Sequence, residues 1–258
     1  MTSTATYHSL KDRVVIITGG GQGLGRSYAL HLAAQGAIPV IAEQNGANGE
    51  RVAKEVSDQG GRALAVETDV ADLASVDDMA AATLSEFGRI DGLINNAAVF
   101  SRITMAPFWE LPVDEWRHAM AVNIDGAFYC ARAVVPAMQE AKWGRIINLS
   151  STTVATGRPN YLHYITSKSA MTGMTRSMAR ELGAWNITVN LLWPGAVETE
   201  IERPSVSGAQ FDALAQQQCL PRRAETQDMA RVVLFICSDE SGYITGQGLM
   251  ANGGLSYL

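Results

Sequence analysis

Cysteine is scarce in this chain: Cys130, Cys219 and Cys237 among 258 residues, an odd number with no Cys-x-x-Cys spacing. That excludes a disulfide scaffold and points to reduced thiols in a cytoplasmic setting. Histidine is equally thin. His8, His31, His118 and His163 are scattered, with no pair at ligand spacing on a helix, so no protein metal site is expected. No Lys/Arg run makes a basic patch, and the net charge of −6 disfavours nucleic acid or an anionic membrane as a partner. Long apolar runs are also missing. The longest, such as residues 232–237, are far too short to span a bilayer. Residues 1–9 are polar, lack the basic-then-apolar layout of a secretory signal, and read as a flexible tail.

What is present is a core. The chain is 47% hydrophobic and 18% charged, enough to fold as one α/β domain over residues 10–258. Short Val/Ile-rich runs at 14–18, 38–43, 63–70, 92–97, 145–150 and 188–193 read as strands apolar on both faces. Amphipathic stretches lie between them, among them 24–35, 76–87 and 164–182. This alternation predicts repeated βαβ units: a doubly wound parallel sheet flanked by helices on both faces. One stretch breaks the rhythm. Residues 198–209 hold Pro204, Ser205, Ser207 and Gly208 ahead of a helix at 211–219, and 198–219 reads as a lid over the carboxyl ends of the strands.

The first strand runs into Thr18-Gly19-Gly20-Gly21-Gln22-Gly23-Leu24-Gly25, and a helix follows. Glycine there permits a tight turn and close approach of backbone to a pyrophosphate, which then meets free N–H groups at the positive end of the helix. The next strand ends on Glu43, whose carboxylate can accept from ribose hydroxyls and repels a 2′-phosphate. Gln22 and Gln44 stand where a base would meet that phosphate, and neither is basic. The expected cofactor is therefore NAD.

Tyr164 and Lys168 are four residues apart, on one helix face. Free tyrosine has a pKa near ~10, too high for a general base at neutral pH; a nearby ammonium favours the phenolate. Such a tyrosine can exchange a proton with an alcohol while hydride moves at carbon. Ser151 follows a strand thirteen residues upstream, and is either a turn serine or a hydrogen-bond donor to the reacting oxygen. Asn123, inside a helical stretch, is either a helix-bending polar residue or part of a water relay.

Together these motifs resemble the short-chain dehydrogenase/reductase family, with its Rossmann-type fold, from about Leu10 to the C-terminus. Asp69, Asn95-Asn96-Ala97-Ala98 and Pro194-Gly195 followed by Thr199 complete the pattern. The resemblance implies that Tyr164 is the acid/base and that Ser151 orients the substrate oxygen. Lys168 would lower the tyrosine pKa and hold the nicotinamide ribose, and Asn123 would keep a relay water. It implies Gly19, Gln22, Gly23, Leu24 and Gly25 under the diphosphate, and Glu43, Asp69 and Val70 at the adenosine. Asn95 and Ala97 would sit by the cofactor ribose, and Pro194, Gly195, Val197 and Thr199 by the carboxamide. The segments 244–247 and 253–254 resemble the family's last strand, which implies a homotetramer. Two positions depart from the pattern. Ala98 replaces a glycine, which requires a negative φ, and Trp193 replaces a small residue, as core or as pocket wall.

Val99, Phe100, Thr152, Thr153, Tyr161 and His163 flank the catalytic positions, with Ile201 and Phe211 near the lid. Arg102 and Arg158 read as solvated loop charges. The set predicts an uncharged, hydrophobic secondary alcohol or ketone. Residues 143–168 resemble bacterial family members acting on aryl or cyclic alcohols, such as 1-phenylethanol dehydrogenase. Rival readings are a non-catalytic NAD(H) sensor, an epimerase or dehydratase, and an NADPH-dependent ketoacyl-thioester reductase. Retention of Ser151, Tyr164 and Lys168 opposes the first, chain length the second, and Glu43 with the net charge the third.

Overall fold

The strands are apolar on alternate positions toward two different layers, and this sets the architecture. A computed structural model describes residues 5–101, 103–202 and 207–257. Seven strands form one parallel sheet: β1 (Val14–Thr18), β2 (Ile38–Glu43), β3 (Leu64–Glu67), β4 (Gly92–Asn95), β5 (Gly144–Leu149), β6 (Ile187–Pro194) and β7 (Gly248–Ala251). Their spatial order is β3-β2-β1-β4-β5-β6-β7. Val15 and Ile17 of β1 face a core shared with α1 (Gly23–Ala34), α2 (Gly46–Asp58) and, from the far end of the chain, α9 (Thr226–Cys237). Val14 and Ile16 face the opposite core. That second layer comprises α3 (Leu73–Phe87), α5 (Gly126–Ala141) and α7 (Leu162–Leu182). The period-two alternation of a strand thus feeds both helix layers, as a sheet covered on each face requires.

The remaining helices serve the carboxyl edge of the sheet: α4 (Val113–Met120), the short α6 (Thr153–Thr156) and α8 (Gly208–Gln217). Between α4 and α5 the chain makes a π-helical turn, Ala121–Asp125, with Asn123 at its centre. Such turns insert one residue into an α-helix and recur at functional sites. The third strand is shorter than its apolar run suggests. It ends at Glu67, and Thr68, Asp69 and Val70 leave the ladder to form a loop. Contacts also begin earlier than residue 10: the Tyr7 amide donates to Gln35 Oε1 at 2.8 Å, and the Ser9 hydroxyl to Glu240 at 2.9 Å. Pro204, Ser205 and Arg102 lie outside the described residues.

At the amino-terminal edge of the sheet an ionic cluster closes the fold. Asp91, 2% exposed, accepts from Arg13, from Arg89 and from the Val14 amide at 2.6 to 3.0 Å. The guanidinium carbons of Arg13 and Arg145 lie 3.6 and 4.3 Å from the centroid of the Trp143 ring. Cys130 on α5 and Cys237 on α9 are buried, and burial pushes both thiols up to about 12. Cys219 is exposed just beyond α8, its Sγ 3.2 Å from the Tyr257 hydroxyl. Among the described residues no helix is long and apolar enough to cross a membrane, and no cluster of three or more His, Cys, Asp or Glu is placed to hold a metal.

Candidate active site

The order of strands reverses between β1 and β4, and the loops leaving the carboxyl ends on either side part there to open a crevice. A cavity of about 880 Å³ occupies it. At one end its wall is Glu43 and Gln44 beyond β2 and Asp69 and Val70 beyond β3; Gly19, Gln22 and Leu24 continue it past β1. Gly25 is required where it stands, because a Cβ there would lie 2.2 Å from the Gly19 carbonyl oxygen. Gly23 has φ +55°, and the Ile201 side chain packs directly over it. The Glu43 carboxylate, 8% exposed, accepts from the Gly21 amide at 3.0 Å and the Asn45 amide at 3.2 Å. It ties the end of β2 to the glycine loop while remaining on the cavity wall.

The opening turn of α1 already carries an anion of the protein's own: the Gly23 amide donates to Glu200 Oε1 at 3.0 Å. A carboxylate drawn to the amide end of this helix, beside a glycine cradle without room for a methyl group, is the test a diphosphate must meet. The residues present fit a dinucleotide.

The chemical end is built where β5 meets α7. The Ser150 hydroxyl donates to the Lys168 carbonyl at 2.9 Å, and Lys168 Nζ donates to the Leu149 carbonyl at 2.9 Å, so strand and helix are cross-linked at one residue. Lys168 is 4% exposed, and burial draws its ammonium down to about 8. Its Nζ lies 6.0 Å from the centroid of the Tyr164 ring, one helical turn away. Ser151 emerges beyond β5 and accepts from the Thr153 hydroxyl at 2.9 Å. Ser151, Tyr164 and Lys168 share the cavity wall with Pro194, Gly195, Val197 and Thr199. Ala97, Val99, Thr153 and Tyr161 are on it too.

Five expected site residues are not on that wall. Gly23 and Gly25 lie beneath it, at the start of α1. Asn95 is buried behind it: its amide donates to Asn148 Oδ1 at 2.8 Å and to the Ala127 carbonyl, and Asn148 donates on to Thr175. The next residue takes the exposed place, with Asn96 holding the Thr18 and Gly19 carbonyls from the wall. Asn123 accepts from the Val99 amide and donates to Ser167 Oγ at 2.9 Å, so its side chain fastens the π-turn. Asn95, Asn123 and Lys168 do share a second, water-sized void of about 10 Å³, where Asn95 Oδ1 has no partner among the described residues. Trp193 belongs to the core. It is 4% exposed on β6, packed with Ala127, Met171 and Leu191 and absent from the cavity wall.

Ala98 has no left-handed φ, which accommodates its methyl group on the wall. Phe211 and His163 are buried rather than wall residues, and burial lowers the His163 pKa. Arg158, expected as a solvated charge, is half-buried and lines the cavity. The sequence reading also missed Gln210, Ala213, Leu214 and Gln217, on one face of α8, and Leu255. The amphipathic pattern of α8 was their available signal; Leu255 had none. Arg223 fastens α8 to the strand end, pairing with Glu198 at 2.6 Å and Asp212 at 2.8 Å.

A crevice at the switch point, a glycine cradle and a Tyr–Lys pair beside a strand-end serine define a nicotinamide-dependent oxidoreductase. The chain belongs to the short-chain dehydrogenase/reductase family. A family profile described as enoyl-(acyl carrier protein) reductase matches residues 19–256. Similar proteins include a short chain dehydrogenase/reductase, astE, of Aspergillus oryzae, 36% identical with all of both chains covered. A trans-4-hydroxycyclohexanecarboxylate dehydrogenase of Sinomonas cyclohexanicum is 37% identical over 94% of this chain and 92% of that one. A 3-oxoacyl-[acyl-carrier-protein] reductase of Staphylococcus epidermidis is 34% identical over 95% and 99%. Among solved structures, a putative short-chain alcohol dehydrogenase from Sinorhizobium meliloti superposes with a TM-score of 0.90 at 31% identity, covering 96% of this chain and 98% of that one.

Proposed function

We propose that the protein is an NAD-dependent dehydrogenase that interconverts an aryl or cyclic secondary alcohol and its ketone. The observation that carries this reading is the continuous wall from Glu43 to the Ser151–Tyr164–Lys168 group. Gly19, Gln22, Glu43, Pro194 and Thr199 on that wall would hold the nicotinamide cofactor, which when bound would supply the hydride acceptor for oxidation at the carbinol carbon. Tyr164 takes the hydroxyl proton, Ser151 donates to the reacting oxygen, and the Lys168 ammonium stabilises the phenolate. Carbonyl reduction reverses each transfer. The relative from Sinomonas, named for a cyclic hydroxy acid, matches the ring and secondary alcohol of this class.

NAD is favoured over NADP by the acidic adenosine end. Glu43 and Asp69 face that part of the cavity, and Gln22 and Gln44 are neutral. Arg26 and Arg51 are both paired with Glu55, at 2.7 and 2.6 Å. A homotetramer is supported by Phe108, Trp109, Val113 and Phe128, exposed on and before α4 and α5. The free cysteines support a cytoplasmic setting. A second reading, reduction of an oxoacyl thioester with NADPH, is favoured by the Staphylococcus relative.

An absorbance assay at the NADH band, run over secondary alcohols with NAD and with NADP, separates the two. NADH formation from aryl or cyclic alcohols with little use of NADP is expected. Tyr164→Phe is expected to remove turnover while NADH binding, followed by fluorescence, persists. More than a few per cent residual activity would overturn the assignment of Tyr164.

A further inference from the structure

Four consecutive hydroxyl side chains follow β5: Ser150, Ser151, Thr152 and Thr153. Two of them serve the scaffold. The Ser150 hydroxyl donates to the Lys168 carbonyl at 2.9 Å, and the Thr152 hydroxyl donates to the Pro194 carbonyl, at the end of β6, also at 2.9 Å. The Thr152 amide donates to that same carbonyl at 3.1 Å, and Thr152 is 4% exposed. Residues 150 and 152 are thereby pinned to α7 and β6. The other two, Ser151 and Thr153, bond to each other on the cavity wall.

The direction of that bond decides what Ser151 can do. The Thr153 hydroxyl donates to Ser151 Oγ at 2.9 Å, and the Thr153 amide donates to the same oxygen at 3.3 Å. The amide bond alone closes an ordinary serine turn, from a side chain to the backbone two residues on. The threonine hydroxyl adds a second donor that the turn does not need. A hydroxyl group has two acceptor positions and one proton. Thr153 fills both acceptor positions of Ser151, so what Ser151 has left to offer is its proton. Among the described residues that proton has no acceptor, and Ser151 lines the cavity. Donation into the serine oxygen also polarises its own O–H bond, which makes it the stronger donor.

We infer that Thr153 is a positioning residue for the reaction, which holds Ser151 as a hydrogen-bond donor aimed at the reacting oxygen. This rests on the alcohol–ketone reading above, in which Ser151 donates to that oxygen. In oxidation the oxygen gains negative charge as Tyr164 takes its proton; in reduction it gains charge as hydride reaches the carbonyl carbon. Both directions therefore draw on the same donor where the charge is greatest. Thr153 need not touch the substrate for this. Its effect passes through Ser151 and belongs to the transition state rather than to binding.

The test separates the hydroxyl of Thr153 from its shape. Thr153→Val keeps the branched shape and loses the donor, whereas Thr153→Ser keeps the donor and loses a methyl group. The probes are 1-phenylethanol and cyclohexanol, followed as NADH formation in a single turnover. The rate is expected to fall roughly 3- to 10-fold in Thr153→Val, the range of one hydrogen bond, and to return to within about twofold of wild type in Thr153→Ser. KM for the alcohol and the affinity for NADH should change little. In a Ser151→Ala background the valine substitution should lower the rate no further, because the bond it removes is already absent. An unchanged rate in Thr153→Val would overturn the assignment, and so would equal impairment of the valine and serine variants, which marks a role in shape alone. A loss as large in the Ser151→Ala background as in the wild type would overturn it too, since Thr153 would then act without Ser151. Each of these results leaves alcohol oxidation standing; a wild-type enzyme that turns over no alcohol or ketone would overturn both.

Discussion

Lys168 joins chemistry to stability through one buried nitrogen. Its Nζ donates to the Leu149 carbonyl, and burial lowers its pKa from 10.5 to about 8. Between those values the unfolded chain holds a proton that the folded chain has released, so stability rises with pH across that window. Below pH 8 both states are protonated and the folded state carries the full penalty of a buried ammonium, up to about 3 kcal/mol. Denaturant midpoints measured from pH 7.5 to 10.5 are expected to rise, and Lys168→Met to flatten the slope; identical slopes would mean that another group titrates. The Tyr164–Lys168 pair is legible in the sequence because four residues on one helix is a local relation. The place of Arg158 is not. It depends on the path of a loop fixed by two left-handed residues and on what packs opposite, and neither is encoded in spacing.

At the scale of elements, the segment after β6 is fastened at both ends of its reach. Arg223 binds Glu198 and Asp212, and Glu200 sits on the Gly23 amide at the opening of α1. In the proposed dinucleotide complex a phosphate would meet that same amide, in place of the carboxylate. Glu200→Gln is therefore expected to tighten NADH binding roughly three- to tenfold in a fluorescence titration, as removal of a competing charge at a helix amino terminus allows. Unchanged or weaker binding would mean that the carboxylate yields without cost. The strands of this fold are legible because each apolar run feeds two cores, and the glycine loop because its spacing is local. The ends of elements are less so: β3 stops at Glu67 despite the apolar Val70, because the chain must turn outward there to line the crevice. Asn123 carried two readings, helix-bending and water relay, and both stand: its side chain fastens the π-turn and also lines the water-sized void shared with Asn95 and Lys168.

Across the whole molecule, chemistry and cohesion occupy opposite edges of the sheet. The carboxyl edge holds the crevice, and the amino edge holds Asp91 between Arg13 and Arg89. Asp91→Asn leaves those cations without their buried partner and is expected to lower unfolding stability by about 2–4 kcal/mol. Michaelis constants are expected to change little, since the cluster is separated from the cavity by the length of the strands; a large rise in KM would show that the two edges are coupled. The two buried thiols, on α5 and α9, are pushed up to about 12 and kept from solvent, so reagents that need a thiolate pass them by. Cys219 stands in solvent between α8 and the last strand, beside the wall that Leu255 completes. Nature has thus left one attachment point for a fluorophore or spin label on the native chain, and it sits where movement of α8 would be read most directly.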